Sequence, residues 1–155
     1  ADNGITLSLP KDEPKKIGEL STFSQALNSE ALEVYKGIDD FMVVLEDEAA
    51  IANNNPNFSL VKSMDSRGLI ITAKGEEVDF VSRWYGPQTG INEDPATGSA
   101  HALLATYWSK ILNKSELSAR QLSKRVGHLK CEVKDDLVEI TGEAKLYLRG
   151  TLQFD

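Results

Sequence analysis

The residues best placed to do chemistry lie in the string GINEDPATGSAH, residues 90–101. Up to Thr97 it consists mainly of turn formers and acids: Gly90, Asn92, Glu93, Asp94 and Pro95. From Gly98 onward an apolar helix pattern begins. A helix N-terminus carries up to four N–H groups without a partner inside the helix, and a partial positive charge. Gly98 lets a ligand approach that backbone closely, and Thr97 and Ser99 place hydroxyls beside it. Together these groups form a receptor for a carboxylate or phosphate. Asp94 cannot itself bind an anion. It can hold a substrate amine or hydroxyl, or move a proton. Glu93 and His101 stand next to these residues as candidate support for the site. The competing reading is structural. Asp94, Thr97 or Ser99 would simply cap the helix, and His101 would be a buried, hydrogen-bonded core residue.

A helix over 98–113 must hold this string. Ala100, Leu103, Leu104, Tyr107 and Ile111 form one face, and Ala102, Ala105, Trp108 and Leu112 cover much of the rest. A helix apolar nearly all round is buried. Its surroundings read as strands: 5–9, 41–45, 69–73, 78–85, 129–133, 137–140 and a last one at about 145–154. Residues 11–19 read as loop, 20–28 as a short helix, and 29–35 are ambiguous. Asp47 caps a short helix that runs to about Ala52. These elements predict one α+β domain over 1–155: a mostly antiparallel, barrel-like sheet wrapped around one central buried helix.

Bulk properties remove several functions. A net charge of −7 with no extended basic patch argues against nucleic acid. No apolar run reaches the ~20 residues a membrane span needs. The single cysteine, Cys131, cannot form an internal disulfide, which points to a reducing cytoplasm. Its alternation with Leu129 and Val133 places it in the core, whereas His128 reads as surface. Two histidines and one cysteine give no metal-ligand spacing. P-loop, dinucleotide-binding and nucleophile-elbow motifs are absent. The chain begins Ala1-Asp2-Asn3-Gly4, without Met, and reads as a piece of something longer.

Several strings carry a resemblance to a known family. VDFVSRWYGP at 78–87, GINEDPATGSAH at 90–101, and Leu104-Ala105 with Tyr107-Trp108 resemble the signature of the phenazine biosynthesis PhzF-like isomerases. QLSKR at 121–125, Gly127, GEA at 142–144 and Gly150 are similar to that family's closing strands. The resemblance implies a diaminopimelate epimerase-like fold. Two similar halves, each a barrel-like sheet around a helix, enclose the active site between them, and this chain resembles the C-terminal half only.

It also implies cofactor-independent proton transfer on a small amino- or hydroxy-acid. Asp94 would contact the substrate's polar group or assist the proton shift, and Gly98 and Ser99 would bind its carboxylate. Epimerase and proline racemase relatives place a catalytic Cys near this helix start. Here Ala96-Thr97-Gly98-Ser99 occupies the stretch, which excludes a two-thiol mechanism. The family's first half carries a catalytic Glu in a Ser-Glu-Thr context and a Cys-Gly-His-Ala-Thr motif, and neither string occurs here.

A general base contributes ~100- to 10,000-fold, so the isolated chain is expected to be nearly inactive. The expected partners are a small carboxylate-bearing substrate, the missing N-terminal half and a second copy in a homodimer. The alternative function is a stand-alone small-anion binding or dimerising module without catalysis.

Overall fold

Two apolar runs, DFMVV and GLIITAK, show few polar interruptions. Strands of this kind are buried on both faces. In the computed structural model, which describes residues 4–153, they lie in the middle of a ten-stranded sheet. In chain order the elements are β1 (Gly4–Pro10), β2 (Lys15–Ile17), α1 (Leu20–Leu27), β3 (Glu33–Lys36), β4 (Asp40–Val44), α2 (Glu48–Ala52), α3 (Phe58–Lys62), β5 (Gly68–Lys74), β6 (Phe80–Gly86), β7 (Ile91–Asp94), α4 (Gly98–Leu112), β8 (Glu116–Gln121), β9 (Gly127–Val133) and β10 (Leu137–Glu143). The strand order is β1-β10-β9-β8-β6-β5-β4-β3-β2, with β7 paired to β6 off this path.

Among the described residues only β4–β5 and β6–β8 pair in parallel; the remaining pairings are antiparallel. Parallel neighbours need a crossover connection. α2 and α3 provide the first and α4 the second. β6 and β8 run opposite to β4 and β5, while both crossovers step the same way along the sheet. A common right-handed crossover therefore puts α4 on one face and α2 with α3 on the other.

Strand alternation agrees with this division. Met42, Val44, Ile70, Phe80 and Trp84 pack in one core with α4, and Leu117, Ala119, Cys131, Val138 and Ile140 complete it from β8–β10. Val43, Ile71, Val81 and Tyr85 pack in a second core with residues of α1–α3.

The expected buried helix is present: residues 100–108 of α4 are all buried. Ile111 departs from its assigned face and is 57% exposed. The expected barrel is not closed. Among the described residues the sheet is open, with β1 and β2 at its edges. A second helical layer covers one face, so the sheet does not enclose a single helix and nothing else.

Residues 11–19 contain β2, and α3 begins at Phe58, where Asn57 accepts from the N–H groups of Ser59 and Leu60. Both elements are too short for periodicity to reveal. The last strand does not form: 144–153 has no regular structure, and Leu146, Tyr147, Leu148 and Leu152 are exposed. Alternation alone makes no strand without a neighbour to complete its ladder; Phe154 lies outside the described residues. Cys131 is buried and His128 exposed, as expected. No helix among the described residues is long and apolar enough to cross a membrane.

Candidate functional site

The string 90–101 turns back on itself before entering α4. β7 pairs with β6, placing Asp94 opposite Trp84 and Glu93 opposite Tyr85. Successive strand residues point to opposite faces, so Asp94 and Glu93 part company. Glu93 takes both oxygens to Arg83, at 2.7 Å from Nε and 2.8 Å from Nη2. Arg83 Nη1 also donates to the Asn54 carbonyl at 2.8 Å. Glu93 therefore fastens β7 to the end of α2, on the face away from α4. The structure does not bring it to the other candidates.

Asp94 stays beside the helix start. Its main-chain carbonyl accepts from Gln121 Nε2 at 2.7 Å and from Ser123 Oγ at 2.8 Å. Gln121 Oε1 accepts the Thr97 N–H at 2.9 Å. One buried side-chain amide thus braces both ends of the 94–97 turn. Thr97 Oγ donates to Asp94 Oδ2 at 2.7 Å. The expected hydroxyl and N–H donors of Thr97 are consequently used within the protein, and Thr97 serves here as a brace.

Thr97 is also the N-cap residue of α4, yet its side chain makes no capping hydrogen bond. Among the described residues, no protein group accepts from the N–H groups of Gly98, Ser99 or Ala100. Those three amides begin a helix of 15 residues and carry its partial positive charge. A Cβ built on Gly98 would meet only Leu7 Cδ1, at 3.8 Å. The fold itself therefore leaves room for a side chain there. Ser99 is exposed, and its Oγ accepts from Arg67 Nη1 at 2.8 Å.

His101 is fully buried beneath this turn, with Phe80 5.9 Å away ring to ring. Its Nδ1 lies 2.8 Å from the Thr97 carbonyl. A carbonyl can only accept, so Nδ1 carries the proton. Nε2 has no partner among the described residues. Burial pushes the His101 pKa down to about 4, against the opposing pull of the Thr97 carbonyl. The imidazole is neutral at pH 7 and supports the turn from below.

A depressed histidine pKa means that the unfolded chain binds the extra proton first. Stability should be complete above pH ~6.5 and fall as pH drops toward ~4, by at most about 1.4 kcal/mol per unit. Urea midpoints across this range should show that slope for the wild type and lose most of it for His101→Gln. Parallel slopes in both proteins would remove His101 from this account.

Residues 7–150 match the model of the phenazine biosynthesis-like protein family, PhzC-PhzF. The chain belongs to this family. Among its PhzF-like relatives, an uncharacterized isomerase of Pseudomonas aeruginosa is 43% identical over 97% of this chain and 58% of its own length. An uncharacterized isomerase of Halalkalibacterium halodurans is 40% identical over 96% of this chain and 57% of its own. The chain thus spans 57–58% of the length of these two relatives. A crystal structure of a PhzF-family phenazine biosynthesis protein from Enterococcus faecalis superposes with a TM-score of 0.91. It is 44% identical and is matched over 99% of this chain and 59% of that one.

The candidate site also contains residues to which the sequence reading gave no part in it. Gln121 and Ser123 hold the turn, Leu7 borders Gly98, and Arg67 reaches Ser99. They come from distant parts of the chain; Gln121 and Ser123 lie in the QLSKR string, which the sequence marked as part of the closing strands and not of the site, and Leu7 and Arg67 carry no local signature. Among the described residues no group of three or more His, Cys, Asp or Glu side chains is placed to hold a metal ion. A hollow of about 460 Å³ lies elsewhere, over β8–β10, beside Lys114, Ser118, Lys130 and Glu132.

Proposed function

We propose that this chain is the carboxylate-binding half of a cofactor-independent isomerase that moves a proton on a small amino- or hydroxy-acid. The observation that carries this reading is the uncapped start of α4. Three amides point out without a partner, while the Thr97 hydroxyl that could have capped them turns to Asp94. A substrate carboxylate satisfies the N–H groups of Gly98, Ser99 and Ala100. Asp94, already fixed by Thr97, keeps acceptor capacity for the substrate's amine or hydroxyl, or takes part in the proton shift.

Absence of the family's first-half Glu and Cys-Gly-His-Ala-Thr strings supports the assignment as a C-terminal half. The general base then belongs to the other half, and the isolated chain does not turn over substrate. Isomerisation of this kind needs only that one group remove a proton from carbon and another return one.

The reading is tested by titrating the 155-residue chain with sulfate and small carboxylates at constant ionic strength, followed by amide NMR. Gly98, Ser99 and Ala100 should shift most. Gly98→Ala should abolish those shifts and change stability by no more than about 1 kcal/mol, since the added methyl meets only Leu7. Shifts confined to other residues would sink the anion site.

The surface beside Gly98 also exposes apolar side chains. Ile5 is 57% and Leu7 52% exposed on β1, and Leu7 lies beside Gly98. Such surface seeks a partner; in the isolated chain we assign that role to a second copy in an isologous homodimer. Light scattering at high micromolar concentration should give about twice the 17.0 kDa chain mass. A monomer would refute this assignment and leave the anion site standing.

A further inference from the structure

Arg67, just before β5, has no part in the reading above, yet it is more firmly held than a surface arginine. Its Nε donates to Asp40 Oδ1 at 3.0 Å and its Nη2 donates to Asp40 Oδ2. Asp40 is only 3% exposed, and Trp84 Nε1 donates to the same Oδ2 at 3.1 Å. The Trp84 ring is wedged in turn. A Cβ on Gly68 would come within 2.5 Å of it and one on Gly86 within 2.0 Å. Packing thus fixes Trp84, Trp84 and Arg67 fix Asp40, and the guanidinium sits 5.5 Å over the indole. The group left free to reach the site is Nη1, which donates to Ser99 Oγ at 2.8 Å.

A guanidinium can donate and cannot accept. Ser99 Oγ therefore accepts a hydrogen bond from Arg67, and its own proton must point elsewhere. Among the described residues no protein acceptor takes it. We propose that Arg67 is a positioning residue that turns the Ser99 hydroxyl outward to donate to the ligand's carboxylate. The proposal rests on the reading of the α4 N-terminus as a carboxylate site. Asp40 neutralises the guanidinium, so Arg67 works through the direction of the hydroxyl rather than through added charge.

A thermodynamic cycle on the full chain separates these effects, with sulfate as the probe at constant ionic strength. Ser99→Ala and Arg67→Gln should each weaken sulfate binding by about 10- to 100-fold, the scale of one hydrogen bond to an anion. The double variant should bind no more weakly than Ser99→Ala. Losses that multiply would show that Arg67 contacts the anion directly, and an unchanged affinity in Arg67→Gln would remove it from the site; either overturns the proposal. Arg67→Lys keeps a charge on Asp40 but loses the fork. It should weaken binding like Arg67→Gln, and it serves if Arg67→Gln fails to fold.

If wild type binds no sulfate, the carboxylate-site reading fails, and the Ser99 side-chain couplings decide the positioning claim. One χ1 rotamer in wild type that becomes averaged in Arg67→Lys upholds it. The same couplings in both proteins overturn it.

Discussion

Leu104→Ala should lower the unfolding free energy of the chain by about 2–5 kcal/mol. Leu104 is fully buried near the middle of α4 and belongs to the core shared with β4–β6 and β8–β10. Truncation leaves a cavity between both arms of the sheet and the helix, where neighbours fixed in strands cannot collapse inward. Urea or thermal melts measure the loss. Ile111→Ala is the internal control. Ile111 is on the same helix but 57% exposed, so its loss should stay within about 0.5 kcal/mol. Equal small losses at both positions would place α4 at the surface and undo the fold described here.

Asp94→Asn should reduce turnover by about 100- to 10,000-fold in an enzyme that carries both halves, the range expected for a group that assists proton transfer. The fold should survive. An asparagine Oδ1 still accepts the Thr97 hydroxyl proton, and the hydrogen bonds from Gln121 and Ser123 go to the main-chain carbonyl, which the substitution leaves in place. Stability should therefore change by no more than about 1 kcal/mol. The assay is deuterium incorporation from solvent into the amino- or hydroxy-acid of the proposed reaction. Full activity in the variant would make Asp94 structural. A large loss of stability would show instead that its charge holds the turn.

These two residues illustrate different degrees of legibility. Leu104 could be read from the chain because a helix apolar on nearly every side has few places to go except a core. The position of Asp94 just before that helix could be read because acids, proline and glycine cluster there. Glu93, its neighbour, could not be resolved the same way. Its chemistry matches that of Asp94, but one step along β7 sends it to Arg83 and the opposite face. Thr97 and Ser99 show the same division. Both carry hydroxyls at the helix start, yet Thr97 is turned inward by Asp94 and Gln121 and Ser99 is met by Arg67.

The sequence by itself determined the elements whose cause is local. The helix over α4, the Asp47 cap and the central strands follow from periodicity, a capping side chain and runs of branched apolar residues, all expressed within a few positions. The family resemblance was legible for the same reason, being carried by contiguous strings. Only the tertiary structure decided that the sheet stays open, that a second helical layer covers its other face, and that 144–153 finds no neighbour among the described residues. It alone decided the walls of the candidate site. Asp40 and Arg67 are 27 positions apart, Arg67 and Ser99 32, and Asp40 and Trp84 44. Such distant residues meet through strand register and the face that each crossover covers, and a one-residue slip would reverse every one of those faces.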